Sequence, residues 1–344
     1  MKPNWKTFLV DAGAEFEDDR IVHYGNPERE RRMVMTGNVF CDLSHLGLIS
    51  AYGEDALTFL QGQFTNDLSM VDETRSQLSA YCDPKGRVLA SFRLFKRGDT
   101  YYMALPRQNL EPVLQRLRKY VLRADVTLED ASDAFVRVGM SGPSMDVELG
   151  HAVSPIPSEI DQVTTLEDVS VLRIPGLHHR FQAFGELETM KKVWDRLNVR
   201  CAPIGPAPYK LLDVLGGVPT VYPETAERFL PQMLNLDALS GVSFKKGCYP
   251  GQEIVARVKH LGGLKRRMIR AHVRGTKQPK IADSVYLAGQ DQAVGQVIDS
   301  QPHPDGGHEI LAVLQIDLAN RSDLVTGSPN GLPIVVGNLP YSAE

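Results

Sequence analysis

The chain has 344 residues, more than one ordinary hydrophobic core holds, so two or three domains are expected. Apolar residues make up 42% and charged residues 23%, which excludes a disordered chain, and no apolar run follows Met1-Lys2-Pro3-Asn4-Trp5-Lys6, so neither a signal peptide nor a membrane span is expected. The net charge of −4 does not mark a nucleic-acid binder, and four cysteines (Cys41, Cys82, Cys201, Cys248), far apart and in no CxxC pair, argue against a zinc site or disulfide framework and suit a reducing cytoplasm.

Residues 1–35 read as polar and irregular, with acids at Glu15, Glu17, Asp18 and Asp19 and bases from Arg29 to Arg32. Apolar order begins at Val39-Phe40-Cys41-Asp42-Leu43, and Leu46–Ser50 reads as a strand. Glu54–Gln61 reads as a short helix stopped by Gly62, and in Gln63-Phe64-Thr65-Asn66-Asp67-Leu68 the residues Asn66 and Asp67 read as turn formers. Tyr81–Leu94 reads as strand, turn, strand around Asp83-Pro84-Lys85-Gly86, and Thr100–Leu105 extends the meander. The apolar stripe Leu110, Val113, Leu114, Leu117 and Val121 predicts a helix. Next come strands at Val136–Met140, Val169–Ile174 and Arg180–Phe184, a helix at Leu187–Leu197, a proline-punctuated link at 203–206 and a helix at Tyr209–Leu215 closed by Gly216-Gly217. From Met268 on, short strands (Met268–Val273, Ser284–Ala288, Ala293–Ser300, Glu309–Ile316, Pro333–Val336) predict a small β-barrel or sandwich. His303 and His308, in the turn between two of them, read as solvent-exposed rather than metal ligands.

The densest chemistry lies in Lys245-Lys246-Gly247-Cys248-Tyr249-Pro250-Gly251-Gln252-Glu253. Ile254, Val258 and Leu261 fall at i, i+4 and i+7, so a helix follows, and Gly262-Gly263 stops it. Cys248 then sits in the turn entering a helix N-terminus, where the dipole and nearby ammonium groups favour the anionic form of a thiol. The competing reading is a buried structural cysteine. Gly247 and Gly251 allow close backbone approach or positive φ, and Glu253 and Arg257 are spaced to pair along the helix. Between residues 245 and 274 nine cations face one acid, which predicts a local anionic partner: phosphate, a polyglutamate tail or an RNA backbone.

Lys-Gly-Cys-Tyr-x-Gly-Gln-Glu resembles the signature of the YgfZ family, folate-binding proteins related to the aminomethyltransferase (T protein) of the glycine cleavage system. Further stretches resemble that superfamily in the expected order: Asp42-Leu43-Ser44, Phe59–Asp67, Asp83–Val88 and Pro231–Leu236. The resemblance implies an α+β, three-lobed aminomethyltransferase/YgfZ-like fold with a ferredoxin-like N-terminal half, a central cavity and a C-terminal β-barrel. The corresponding lobes would be residues 1–130 (partly interleaved with the next), 131–262 and 263–344. It also implies tetrahydrofolate or a derivative as ligand, iron–sulfur client proteins including tRNA-modifying enzymes, and Cys248 as the functional residue. Asn66, Lys246, Gly247, Tyr249, Gly251, Gln252, Glu253 and Arg257 are the expected folate contacts, and no metal site is implied.

One departure separates this chain from the true transferases. Those enzymes carry an acidic pair on the strand after the hairpin turn, where Leu89-Ala90-Ser91-Phe92 stands here, and neither Ala90 nor Ser91 supplies a carboxylate base. The acid expected before Gly-x-Pro to hold the pterin is also missing from Leu215-Gly216-Gly217-Val218-Pro219. The leading reading is a cytoplasmic folate-linked accessory factor for iron–sulfur proteins and tRNA modification. The alternatives are an aminomethyltransferase and a non-enzymatic RNA-binding module that uses the basic window 245–274.

Overall fold

The structure is a computed structural model and describes residues 1–343. In chain order the elements run α1 (Pro3–Asp11), β1 (Glu15–Glu17), β2 (Arg20–His23), α2 (Pro27–Thr36), β3 (Val39–Asp42), β4 (Leu46–Tyr52), α3 (Ala56–Gln61), β5 (Gln77–Cys82), β6 (Val88–Arg97), β7 (Thr100–Pro106) and α4 (Arg107–Arg118). There follow β8 (Thr127–Asp130), β9 (Val136–Gly142), α5 (Met145–Ala152), β10 (Val163–Leu166), β11 (Val169–Arg173), β12 (His179–Gly185), α6 (Leu187–Asn198), β13 (Ala202–Pro203), α7 (Pro206–Leu215) and α8 (Gln252–Leu261). The last strands are β14 (Arg266–Val273), β15 (Ser284–Leu287), β16 (Ala293–Pro302), β17 (His308–Gln315), β18 (Leu324–Thr326) and β19 (Leu332–Gly337). No helix among the described residues is long and apolar enough to cross a membrane.

The expectation of an irregular start is overturned, because α1, β1, β2 and α2 occupy it. Pro3 and Pro27 stand at first helical positions, where the missing N–H would have had no partner. Asn26 caps α2, its Oδ1 accepting from Arg29 N at 2.9 Å. Trp5 and Leu9, one turn apart, are the buried residues of α1, and Trp5 stacks on Phe8 and donates from Nε1 to Asp42 Oδ2 at 2.8 Å. A buried pair only one turn apart is too short a repeat to stand out in the sequence. Helix α7 likewise starts at Pro206, three residues earlier than expected, for the same reason of proline at the first position.

The chain divides into two compact units, each made of three segments. The first comprises 1–53, 70–76 and 94–212. Its main sheet has the order β10-β11-β12-β9-β3-β13, antiparallel except where β13 runs parallel to β3. Val138, Met140, Phe181 and Ala183 on one face pack with Trp5, Leu149, Met190 and Trp194 from α1, α5 and α6. On the other face Leu172 and Phe184 meet Leu48, Phe95 and Ala104, with the Phe95 and Phe184 rings 4.5 Å apart.

The second unit comprises 54–69, 77–93 and 213–344. It holds a closed barrel in the order β14-β17-β16-β15-β18-β19. Closure leaves no free sheet edge. Alternate residues of β17 serve two cores: Ile310, Ala312 and Leu314 fill the barrel, while Leu311 and Val313 join Cys82, Val88, Val255 and Phe229 outside it. Burial on both faces explains the unbroken apolar run in that strand. Two expectations are corrected here. His308 is buried rather than exposed, and His303 is half-buried with its ring 5.6 Å from His272, because the Gly306-Gly307 turn folds the histidines against β14.

Glu30 is buried, and its Oε1 and Oε2 accept from Tyr24 N at 2.7 Å and Gly205 N at 2.8 Å. Glu30→Ala leaves two buried donors without an acceptor and is expected to cost roughly 2–4 kcal/mol in a urea or thermal melt. Glu30→Gln, which keeps one acceptor oxygen, should lose about half as much.

Candidate functional site

The turn Asp83–Gly86 forms as its sequence predicts. Gly86 N donates to Asp83 O at 2.9 Å, the Asp83 carboxylate accepts from Lys85 N and Arg87 N at 2.8 Å each, and Gly86 takes φ +73°. Gly251, the N-cap of α8, also has positive φ (+79°) and lies directly on this turn. A Cβ on Gly251 would overlap Gly86 N and Cα and stand 2.5 Å from Asp83 O. Only glycine meets both demands, the left-handed backbone and the contact distance. Two stretches singled out separately in the sequence are thus one structure, backbone against backbone.

That contact sets the phase of α8. Val255, next to Gly86, is fully buried, whereas Ile254 is 39% exposed, so the expected inward stripe through Ile254 and Val258 is off by one position. The Leu261 side chain, the third member of that stripe, lies outside the described residues. Gln232 Nε2 donates to Val255 O at 2.6 Å and holds the helix from the other side. Neighbouring Asn235 takes φ +57° and donates from Nδ2 to Met268 O at 3.0 Å. Neither side chain was assigned a role from sequence; the signal available was that both lie in the Pro231–Leu236 stretch.

Lys246 is only 9% exposed, and its ammonium donates to the carbonyls of Gln61 (2.7 Å), Phe64 (2.7 Å) and Asn66 (2.8 Å). Burial brings it down to about 8, with Asp67 acting in the opposite sense. Its Nζ lies 5.5 Å from the centroid of the buried Tyr249 ring, whose phenol is pushed above its usual range by burial and then by Cys82. Asn66 is similarly committed. Its Nδ2 donates to Leu78 O and Ser240 O at 2.9 and 2.7 Å, and its Oδ1 accepts from Asp67 N at 2.9 Å. The expected folate contacts therefore divide. Asn66 and Lys246 spend their polar groups inside the protein, while Gly247, Gln252, Glu253 and Arg257 keep accessible atoms. Glu253 and Arg257 form the i, i+4 ion pair at 3.1 Å; both are largely exposed, so it contributes little.

Cys248 is exposed, three residues before the cap of α8, whereas Cys41, Cys82 and Cys201 are buried. Burial raises all three of those thiols, Cys201 to about 12. A Cβ on Gly247 would meet open space, so the backbone beside the sulfur is accessible. One thiol is thus presented to solvent while the others are held protonated.

The two stretches in which the expected carboxylates are missing are joined by hydrogen bonds. Ser91 Oγ donates to Pro219 O at 3.1 Å and accepts from Val221 N at 3.3 Å, joining the strand to the end of the Leu215–Pro219 stretch. Gly217 O accepts from Tyr341 Oη at 2.6 Å, and Leu215 O accepts from Arg270 Nη1 at 3.3 Å. A neutral hydrogen-bonded bridge thus stands where the family resemblance led to the expectation of carboxylates.

The basic window is partly structural. Lys246 is consumed as described, Arg267 pairs with Asp237 at 3.3 Å, and Arg270 lies 3.8 Å from Glu309. Lys245, Lys259, Lys265, Arg266 and Arg274 remain exposed, with Lys259 resting over Phe244.

Residues 11–185 match the GCVT N-terminal domain family. The chain is 30% identical over 286 residues to the tRNA-modifying protein YgfZ of Colwellia psychrerythraea, spanning 82% of this chain and 86% of that one. It is 30% identical over 302 residues to the protein of the same description from Yersinia pestis, spanning 87% and 91%. Its fold is similar to the glycine cleavage system aminomethyltransferase T of Bartonella henselae, with a TM-score of 0.78 at 14% identity over 98% of this chain and 97% of that one. The α+β architecture with its closed six-stranded barrel is that of the aminomethyltransferase fold.

Gly251→Ala forces a Cβ into the Asp83–Gly86 turn and is expected to cost roughly 2–4 kcal/mol, combining left-handed strain with overpacking. Gly247→Ala, which meets nothing, should stay within about 0.5 kcal/mol of wild type in the same melt.

Proposed function

Since this chain belongs to the YgfZ family of tRNA-modifying proteins, we propose that it is a cytoplasmic folate-binding accessory protein that supports iron–sulfur enzymes of tRNA modification, with Cys248 as its working thiol. The observation that carries this reading is the exposure of Cys248 on a short arch pinned at Lys246 and Gly251, while every other cysteine is buried.

A reduced folate fits as a bound ligand. Its carboxylates suit the exposed cations Lys245, Lys259, Lys265 and Arg266, and Gly247 leaves the backbone open beside the sulfur. Gln252, Glu253 and Arg257 at the start of α8 are accessible for its polar edge. When bound, a reduced folate supplies a one-carbon carrier. Nothing at Ser91 accepts a proton or stabilises a developing cation, which speaks against aminomethyl transfer.

A second reading is favoured by the exposed cations Lys245, Lys259, Lys265, Arg266 and Arg274 of the basic window, which suit an RNA backbone. It predicts tRNA binding that weakens steeply with salt, falls on changing Lys265 and Arg266, and ignores Cys248.

The deciding experiment is Cys248→Ala in a strain lacking the gene. The variant is expected to lose complementation and client activity while its stability stays within about 0.5 kcal/mol of wild type, since an exposed side chain is removed. Full complementation would remove the thiol from the account and promote the RNA reading. Calorimetry should find tetrahydrofolate bound by both wild type and Cys248→Ala, and aminomethylated lipoyl carrier should yield no methylene-tetrahydrofolate.

A further inference from the structure

The motif around Cys248 also carries the buried ammonium of Lys246, and its position is not that of a ligand contact. An ammonium group has three N–H donors and no more. At Lys246 three backbone carbonyls take them, from Gln61, Phe64 and Asn66, at 2.7 to 2.8 Å. The ring of Tyr249 covers another side at 5.5 Å. Among the described residues Asp67 is the charged neighbour, and its Oδ1 accepts from Gln61 Nε2, Ser69 N and Ser69 Oγ.

The carbonyls that converge on Lys246 come from the last residue of α3 and the turn that follows it, whose N–H groups at 62–65 are bonded to backbone while these three carbonyls turn to the ammonium. Thr65 ties the same turn to the other motif: its Oγ1 donates to Gly241 O at 2.7 Å, and its carbonyl accepts from Ser243 N at 3.0 Å. Asn66 Nδ2 adds its bond to Ser240 O. The segment 240–246 is therefore sewn to residues 61–66 at four points, with Lys246 the last before the open Gly247 and Cys248.

We propose that Lys246 is a positioning residue, a buried staple that fixes the Gln61–Asn66 turn and thereby the place of the Cys248 sulfur, and that it contacts neither folate nor client. The proposal rests on the reading of Cys248 as the working thiol only for its functional consequence. The staple itself is a property of the free protein. Arginine does not replace lysine here, because its planar donors cannot converge from one atom on three carbonyls.

Three measurements test it. In protein labelled at lysine Nζ with nitrogen-15, Lys246 should give a slowly exchanging ammonium signal at neutral pH, absent in Lys246→Arg and unmoved by added tetrahydrofolate. In Lys246→Met, hydrogen exchange over residues 61–68 should quicken at least about tenfold, with barrel strands β14 to β17 unchanged. A nitroxide on Cys248 should become visibly more mobile in the same variant. A lysine signal that shifts with folate would overturn the proposal. So would unaltered exchange and label mobility in Lys246→Met combined with lost folate affinity, since both outcomes mark a ligand contact. Should Lys246→Met fail to fold, the wild-type ammonium signal decides alone. Full function in Cys248→Ala would sink the thiol reading while leaving these three readouts to stand or fall separately.

Discussion

Two backbones touch where Gly251 meets the turn Asp83–Gly86, and the rest of the candidate site is arranged by that contact. No side chain fits between them, so Gly251 carries none, and the positive φ at both glycines turns the chain away on either side. The helix that starts at Gln252 must then present Val255, not Ile254, to the shared core, and Gln232 meets the carbonyl of Val255 from beneath. The cysteine arch leaves from the same point in the other direction. Its accessibility follows from geometry: the chain is drawn tight at Gly251 and buried at Lys246 and Tyr249, so the two residues with exposed positions are Gly247 and Cys248.

The charges near the site have been sorted by solvation. A buried ammonium is tolerated because three carbonyls replace its water shell, and half-buried Arg267 is tolerated because Asp237 meets it. Cations without such partners stand outside, which concentrates positive potential around Lys245, Lys259, Lys265 and Arg266. The neutral Ser91 hydroxyl bridges Pro219 and Val221 and joins the backbone of two separate stretches without introducing a charge. The fold is shared with the Bartonella enzyme at 14% identity, so the architecture alone does not decide the chemistry.

Much of the fold was readable before the structure. The meander from Tyr81 to Leu105, helices α4 and α6, and the C-terminal barrel follow from period-two and period-3.6 patterns long enough to outweigh noise. The opening residues 1–35 misled, because two helices of nine and ten residues bury only two side chains each, and charged residues make up half of the second. The histidines of the 302–308 turn misled for a related reason. Local polarity suggests solvent, but the direction in which a glycine turn folds is set by what lies beside it.

Residue order alone was enough to establish the family, the barrel and the glycine-flanked cysteine, since each is written in local spacing or in a contiguous motif. What Lys246 bonds to, why Gly251 is glycine, and that Ser91 and Pro219 are partners all depend on residues more than a hundred positions apart. Such pairings are made by the packed chain, where a desolvated donor must find whichever acceptor is near in space, and no period or motif along the sequence records which one that will be.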